Sequence, residues 1–561
     1  MNAQRLLAHY ERIADAPDAV GRLRRLILDL AVRGKLVPQD PRDEPAAELL
    51  KRIAVEKARL VKAGEIRKEK PLPEIEPDKA PFPIPHRWQW GRVRQVTSDR
   101  GQMVPNQSFT YIDVTAINKE AGRIEGAKAI SAAEAPSRAR KIVRKGDVLY
   151  SCVRPYLLNI AIVEGEFSPP AIASTAFAVL NSFSLVVPRY QWIVLRSPFF
   201  VVCVDEKMRG QAYPAINDSD FSLLPFPLPP LAEQHRIVAK VDELMALCDR
   251  LEAARTDREK RRDRLTSAAL TRLNEPDEGT FQADARIVLK ALPALTTRAD
   301  QIKRIRQTIL NLAVRGKLVP QDPRDEPAAS LVNRIMSAKA QMRINGERRK
   351  EASLEEVDEG EVPYMLPKGW SWARLGKLGE TNIGLTYSPG DVAAVGTPVL
   401  RSNNIKLGKL DIEDLVRVRC DPKPSVLVRE EDLLICARNG SRALVGKVAR
   451  IESLKEPTAF GAFMAIFRSE LNRYLYLFIS SPVFRQVIDE VNTTTINQIT
   501  QNNLRSTLVP VPPRAEQDRI VAKVDKLMAL CDQLEASLTG TAATSRRLLD
   551  ALLTEALAPA A

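Results

Sequence analysis

The chain is poor in the residues that metal binding and acid–base catalysis rely on. Its 561 residues include three histidines, His9, His86 and His235, in unrelated contexts. That is thin material for a zinc site or for imidazole proton transfer. The six cysteines, Cys152, Cys203, Cys248, Cys420, Cys436 and Cys531, include no CxxC pair. A chain of this length needs no disulfide staples, so reduced, partly buried thiols are expected. No run of eighteen uncharged apolar residues occurs, which excludes a membrane-spanning helix. The opening "MNAQRLLAHYERIADAPD" is charged throughout and has no apolar signal core, so a cytoplasmic protein is expected.

Catalytic signatures are missing too. There is no Asn/Asp-Pro-Pro-Tyr/Phe of an amino-methyltransferase, and no GxSxG, HExxH or GxGxxG in strand–helix context. The nearest approach to a phosphate-binding loop is "GSRALVGKV" from Gly440. It has five residues between its glycines, one too many, and Val448 where a magnesium-binding Ser or Thr belongs. No cluster of carboxylates and a lysine suggests a nuclease. A non-catalytic chain is expected, with no cofactor and no metal of its own.

What is present is basic charge and repetition. Net charge is +14, a balance that suits a polyanion such as nucleic acid, although it fits a merely basic soluble protein as well. The eighteen residues "LAVRGKLVPQDPRDEPAA" run from Leu30 to Ala47 and again, unchanged, from Leu312 to Ala329. "PPLAEQHRIVAKVDELMALCDRLEA" from Pro229 returns as "PPRAEQDRIVAKVDKLMALCDQLEA" from Pro512. A tandem duplication is the direct explanation.

The repeated blocks read as helices. Ile237, Val241, Leu244, Cys248 and Leu251, with their copies Ile520, Val524, Leu527, Cys531 and Leu534, step by four and three. That is a heptad seam, and the spacing predicts one long helix over about Leu231–Asn274. Val20, Leu23, Ile27 and Leu30 match Ile302, Ile305, Ile309 and Leu312 in a second helical pattern, which should stop near "VRGKLVPQDP". The segments between differ. Both open on Trp-x-Trp (Trp88 and Trp90; Trp370 and Trp372) and continue as short apolar runs such as "GDVLYSCV" and "EDLLICAR", a strand-rich α+β composition. The tryptophans read as core anchors before base-stacking platforms. The domain expectation is a helical docking region and linker over 1–84, a globular domain over 85–226, central helices and linker over 227–365, a second globular domain over 366–509, and a C-terminal helix over 510–561. Shared helices suggest one partner docked twice, and divergent domains suggest two different things being read.

Taken together, the two "PP-x-AEQ" helices, the two "LAVRGKLVPQ" segments, the "GW-x-W" start, the "GDVL"/"EDLL" pair and the "IN" element of "PAIND" and "TTINQ" resemble the specificity subunit of type I restriction-modification systems. The resemblance covers essentially the whole chain; His86-Arg87 stands where the family usually has Gly before the first Trp. It implies two target recognition domains separated by long antiparallel coiled-coil helices with an internal pseudo-twofold repeat. It further implies that each domain reads one part of a split, asymmetric site on double-stranded DNA, with the helices as a ruler across an unread spacer. Two copies of a modification methyltransferase, carrying S-adenosylmethionine, would dock on the repeated helices and methylate adenine. Two restriction motor-nuclease subunits, with ATP and Mg, would add restriction. The competing readings are a coiled-coil DNA-binding scaffold without sequence preference, and an enzyme with a fused methyltransferase or nuclease activity.

Base reading favours Arg or Lys for guanine and Asn or Gln for adenine, on loops that reach a groove. Residues 86–225 carry 17 Lys/Arg against 12 Asp/Glu, and residues 366–509 carry 19 against 14, so each domain has the net +5 that a phosphate footprint needs. DNA-binding candidates in the first are Arg100, Gln102, Asn106, Arg138, Arg140, Lys141, Arg154, Arg209, Gln211 and Tyr213. In the second they are Arg401, Asn403, Asn404, Arg438, Asn439, Ser441, Arg442, Thr493, Thr494, Asn497 and Gln498. For each, a solvated loop or a phosphate contact is the competing reading. Arg154 and Arg438 align after a buried-looking strand, where a structural salt bridge competes, and Asn217 and Asn497 are candidate turn caps. Arg33, Lys35, Arg42 and Asp43, with Arg315, Lys317, Arg324 and Asp325, are too polar and too faithfully copied to be core alone, and are expected to dock a partner.

Overall fold

A computed structural model describes residues 16, 18–69, 71–274, 287, 288, 290, 291, 295–344, 354–491 and 497–557. The chain divides into two compact units, Met1–Arg258 with Ala542–Ala561, and Glu259–Thr541.

In the first unit the helix Ala19–Val32 buries Leu26, Ile27, Ala31 and Val32. It stops at Gly34, whose φ of 68° only glycine adopts easily. The amide of Lys35 reaches back to the carbonyl of Leu30 at 2.9 Å and that of Gly34 to Ala31 at 3.4 Å, closing the last turn. A Cβ on Gly34 would lie 2.4 Å from Pro85 Cγ, so the stop is also a close contact. The helix Ala46–Lys62 follows, burying Leu49, Ile53 and Leu60. The globular part is closed by its own ends: Gln89–Arg92 pairs antiparallel with Pro225–Leu228, setting Trp90 opposite Pro227. Within lie a four-stranded sheet, in the order Lys128–Ile130, Phe109–Ile112, Ala171–Ser174, Ala139–Ile142, and a three-stranded sheet, Phe177–Leu180, Val148–Ser151, Ile160–Ile162.

The second unit repeats the plan. The helix Ala299–Val314 stops at Gly316, again at φ 68°, with Lys317 N bonded to Leu312 O at 2.9 Å. Ser371–Arg374 pairs with Leu508–Val511. One four-stranded sheet holds Val392–Ala393, Val416–Val418, Thr397–Leu400 and Ala459–Phe460; another holds Glu380–Ile383, Met464–Arg468, Leu433–Cys436 and Val448–Arg450.

Trp88 and Trp370 are buried, as core anchors should be. Trp90 packs edge-on against Phe82 and Phe199, and Trp372 against Tyr364. The two closing helices, Leu231–Asn274 and Arg514–Leu557, are 44 residues each, about 66 Å long at about 1.5 Å per residue. Cys248 and Cys531 are buried on their seams, and all six cysteines are free thiols. No described helix is long and apolar enough to cross a membrane.

Candidate nucleic-acid interface

The two repeated blocks meet each other within each unit. Gln39 donates to the Glu233 carboxylate at 2.7 Å, and Arg236 pairs with Asp43 at 2.7 Å. In the second unit Gln321 donates to Glu516 at 3.2 Å, Arg519 pairs with Asp325 at 2.6 Å, and the Trp370 indole donates to Glu516 at 3.0 Å. Burial pushes both Glu233 and Glu516 above the ordinary carboxylate range, against the hydrogen bonds they accept. Lys57 donates to the carbonyls of Arg94 and Thr97, and Lys339 does the same to Gly376 and Gly379, so the helices Ala46–Lys62 and Ala328–Ile344 are each fixed to the globular domain that follows.

These bonds sort the expected docking residues. Asp43 and Asp325 are engaged within the chain. Arg33 pairs with Asp29 and lies over the Phe82 ring, Arg315 bonds Asn311 and lies over Tyr364, and Lys35 donates to Leu557 O at 2.9 Å. Lys317 is half-buried. Arg42 and Arg324 remain outward, with side chains 90% and 89% exposed, each held by the aspartate two residues before it.

Each globular domain has a buried aspartate at the head of its central strand. Asp147 accepts from the Arg144 amide at 2.8 Å and from Arg100 at 2.7 Å, and its burial raises its carboxyl. Asp432 accepts from the Arg429 amide at 2.8 Å and from Arg468. Arg100 is therefore oriented by Asp147.

The strands Val148–Ser151 and Leu433–Cys436 run out from these aspartates into the loops that carry Arg154 in one domain and Arg438, Asn439, Ser441 and Arg442 in the other, and the hydrogen bonds there set the register between halves. Ile216 N bonds Cys152 O and Ile499 N bonds Ala437 O. Arg154 N bonds Pro214 O, and Asn439 N bonds Asn497 O. The structural counterpart of Arg154 is thus Asn439, not Arg438, which corrects the alignment expected from sequence by one residue. Among the described residues neither arginine forms the salt bridge considered for it: Arg154 lies 4.7 Å over the Tyr213 ring and Arg438 5.4 Å over Phe463. The expected caps are corrected likewise. Asn217 does cap the helix Asp218–Ser222, accepting from Asp220 N at 2.8 Å, but its counterpart is Thr500, which caps Gln501–Ser506. Asn497 instead donates to Gly440 O at 3.1 Å.

Two candidates are corrected by burial. Lys141 is 3% exposed and its ammonium is paired with Asp99 at 2.7 Å. Asn404 is 3% exposed; it donates to the carbonyls of Asp411 and Asp414 and accepts from Arg401 N, closing its own turn. Both are needed inside the fold, where a base edge does not reach.

The other described candidates lie at the surface or half-buried. In the first domain Arg209 and Ala215 exchange both backbone hydrogen bonds at 2.9 Å, which projects Gln211 and Tyr213 from a hairpin facing Arg154. Arg209 also pairs with Asp220 at 3.2 Å. Gln102, Asn106 and Arg138 are exposed, and Arg140 is half-buried. Met103 N bonds Arg140 O at 2.8 Å, so Gln102 runs alongside the Arg138–Lys141 strand. In the second domain three separate sequence segments converge. Asn439 donates to Ser402 Oγ at 3.3 Å, which joins the Arg401–Asn404 turn to the loop of Arg438, Ser441 and Arg442, and Asn497 and Gln498 bridge to that same loop. Asn403, Ser441 and Arg442 are exposed, and Arg442 pairs with Asp489 at 3.1 Å. Thr493 and Thr494 lie outside the described residues. Sequence reasoning passed over Tyr156 and Phe463, both exposed aromatic residues on these loops.

Residues 141–258 and 367–540 match the family model described as the type I restriction modification DNA specificity domain. The chain is 34% identical to the type I restriction enzyme EcoAI specificity subunit of Escherichia coli, covering 96% of this chain and 94% of that one. It is 31% identical to the EcoEI specificity subunit of Escherichia coli, with the same coverage. Among solved structures it is similar to the HsdS subunit from Thermoanaerobacter tengcongensis, at 25% identity and a TM-score of 0.48, covering 85% of this chain and 98% of that one.

Proposed function

This chain belongs to the type I restriction-modification specificity subunits, and from that premise we propose that its two globular domains read the two halves of one split, asymmetric DNA site. In this reading the two 44-residue helices serve as the ruler across the unread spacer. Two copies of a methyltransferase subunit dock on the repeated helical surfaces, where Arg42 and Arg324 stand out from the chain. One surface written twice suits two copies of one enzyme. The partner holds S-adenosylmethionine and methylates adenine; motor-nuclease subunits bring ATP, Mg and cleavage. This chain supplies address, not chemistry.

One observation carries the reading. The bonds that tie repeated block to repeated block recur in both halves, while the position three residues past the equivalent strand is Arg154 in one domain and Asn439 in the other. A shared partner needs the former alike, and two different half-sites need the latter unlike. Guanidinium groups favour guanine and carboxamides adenine.

The test is methylation-sensitive sequencing of host DNA with this gene present and deleted. The proposal expects adenine methylation to vanish at one bipartite, non-palindromic motif. If no motif changes while the methyltransferase subunit is expressed and active, the reading fails and a scaffold without sequence preference takes its place.

A further inference from the structure

Each domain carries an exposed aromatic ring covered by the guanidinium of an arginine that follows the equivalent strand. We propose that these two stacks are wedges that part a base step of the duplex, one in each half-site. The proposal rests on the DNA-reading function above and adds a second means of reading, by the cost of deforming the step.

In the first domain the wedge is built at the expense of backbone comfort. Arg154 (φ 48°) and Leu158 (φ 54°) both take the left-handed conformation that side chains disfavour, and they bracket the turn Pro155–Leu157. Such residues persist where the surroundings hold them, and they cluster at ligand-contacting sites. Here the hold comes from the facing hairpin, through Arg154 N to Pro214 O at 2.8 Å and Ile216 N to Cys152 O at 3.0 Å. The two bridged loops turn apolar groups outward: Tyr213 is 69% exposed and Tyr156 49%, with Val153 and Leu157 at 38% each. Apolar groups gathered on one exposed feature mark an interaction surface. The guanidinium over Tyr213 restrains the ring, so less ordering is left to the moment of binding.

The second domain reaches a similar arrangement by another route. Phe463, 59% exposed, comes from the turn before the strand Met464–Arg468, not from a hairpin like that of Tyr213. Its carbonyl accepts from the amides of Ala437 and Arg438 at 2.9 and 3.0 Å, which sets the ring beneath Arg438. Rings supplied by different segments, in domains whose loops otherwise diverge, argue for a shared task over inherited packing.

Charge and neighbours select the occupant. Both stacks sit in domains of net +5, beside groups that hydrogen-bond bases: Gln211 in one, Asn439 and Ser441 in the other. Apolar side chains inserted between base steps unstack them and kink the duplex, and arginine beside them answers the phosphate field. A common protein partner would require the same residues twice, which these loops do not offer.

The experiment uses the full chain in complex with its methyltransferase subunits and a duplex bearing the motif found by methylation sequencing. 2-Aminopurine replaces one base at a time. The expected result is a rise in fluorescence at one step of the first half-site, lost in Tyr213→Ala, kept in Tyr213→Phe, with affinity about tenfold weaker in Tyr213→Ala. Phe463→Ala should silence a step in the other half-site only. Uniformly quenched fluorescence throughout, or a signal and affinity indifferent to Tyr213→Ala and Phe463→Ala, overturns the wedges while leaving the specificity function standing. If Tyr213→Ala instead releases the methyltransferase and leaves the DNA signal intact, the surface belongs to a protein partner and the wedges are likewise overturned. Absence of any methylated motif would be the failure of the underlying reading.

Discussion

Arg236 meets Asp43 at 2.7 Å and so joins the second repeated block of the chain to the first. Its copy, Arg519 with Asp325 at 2.6 Å, does the same 282 or 283 residues later. Part of the reason the blocks are preserved together is therefore internal: each is the other's binding partner. Asp43 is 8% exposed in its side chain and Arg236 is 36%, so solvent screens part of the attraction. Asp43→Ala should cost about 1–2 kcal/mol of local stability. Hydrogen exchange would show it as faster exchange in Ala46–Lys62, with Ala328–Ile344 as the unaffected internal control. Equal exchange in both helices would remove the pair from the account.

The buried carboxylate of Glu516 makes a pH prediction. Burial raises its folded pKa above the unfolded value, so the native state holds the proton more tightly. Between those two values stability falls as pH rises, because a buried charge must then be tolerated. Glu516→Gln keeps an acceptor for the Trp370 indole and removes the charge. Relative to the parent chain, its melting temperature should improve from pH 5 to pH 8. A difference that does not vary with pH would mean that the site tolerates the carboxylate without penalty.

The helices as a ruler predict a change in spacer with length. Four residues inserted after both Arg258 and Thr541, where the long helices pass from one compact unit to the other, add about 6 Å at about 1.5 Å per residue. Against a base-pair rise of about 3.4 Å, that is about two base pairs. Methylation sequencing should return both half-sites unchanged and a longer spacer. Altered half-sites with the old spacer would contradict the ruler.

Much of this arrangement is legible in the chain itself. The repeats, the long helix Leu231–Asn274 and the stop at Gly34 follow from periodicity and from glycine's access to positive φ. The tryptophans alternate with polar neighbours as a half-buried strand does, and Trp88 and Trp370 are buried. Polar function is harder to read. Lys141 and Asn404 look like base contacts because burial is invisible in a sequence, and their partners, Asp99 for one and the carbonyls of Asp411 and Asp414 for the other, are fixed by the fold. Arg154 and Arg438 match by residue type, yet the backbone register pairs Arg154 with Asn439, each seven residues after the buried aspartate of its domain. Thr500 takes the capping place that a shared Ile-Asn assigns to Asn497, because Ile499, three residues after the Ile of that pair, fills the place of Ile216. The Gln39–Glu233 contact, across 194 residues, leaves no local sign at all beyond the coincidence that both residues are repeated.

The most direct test of two domains reading two half-sites is an exchange of one. Residues 85–226 would be replaced by the corresponding domain of a family member with a different motif, and the host's methylated motif sequenced. The account predicts a hybrid motif: one half-site exchanged, the other half-site and the spacer kept. A motif changed in both halves, or one unchanged in either, would contradict it.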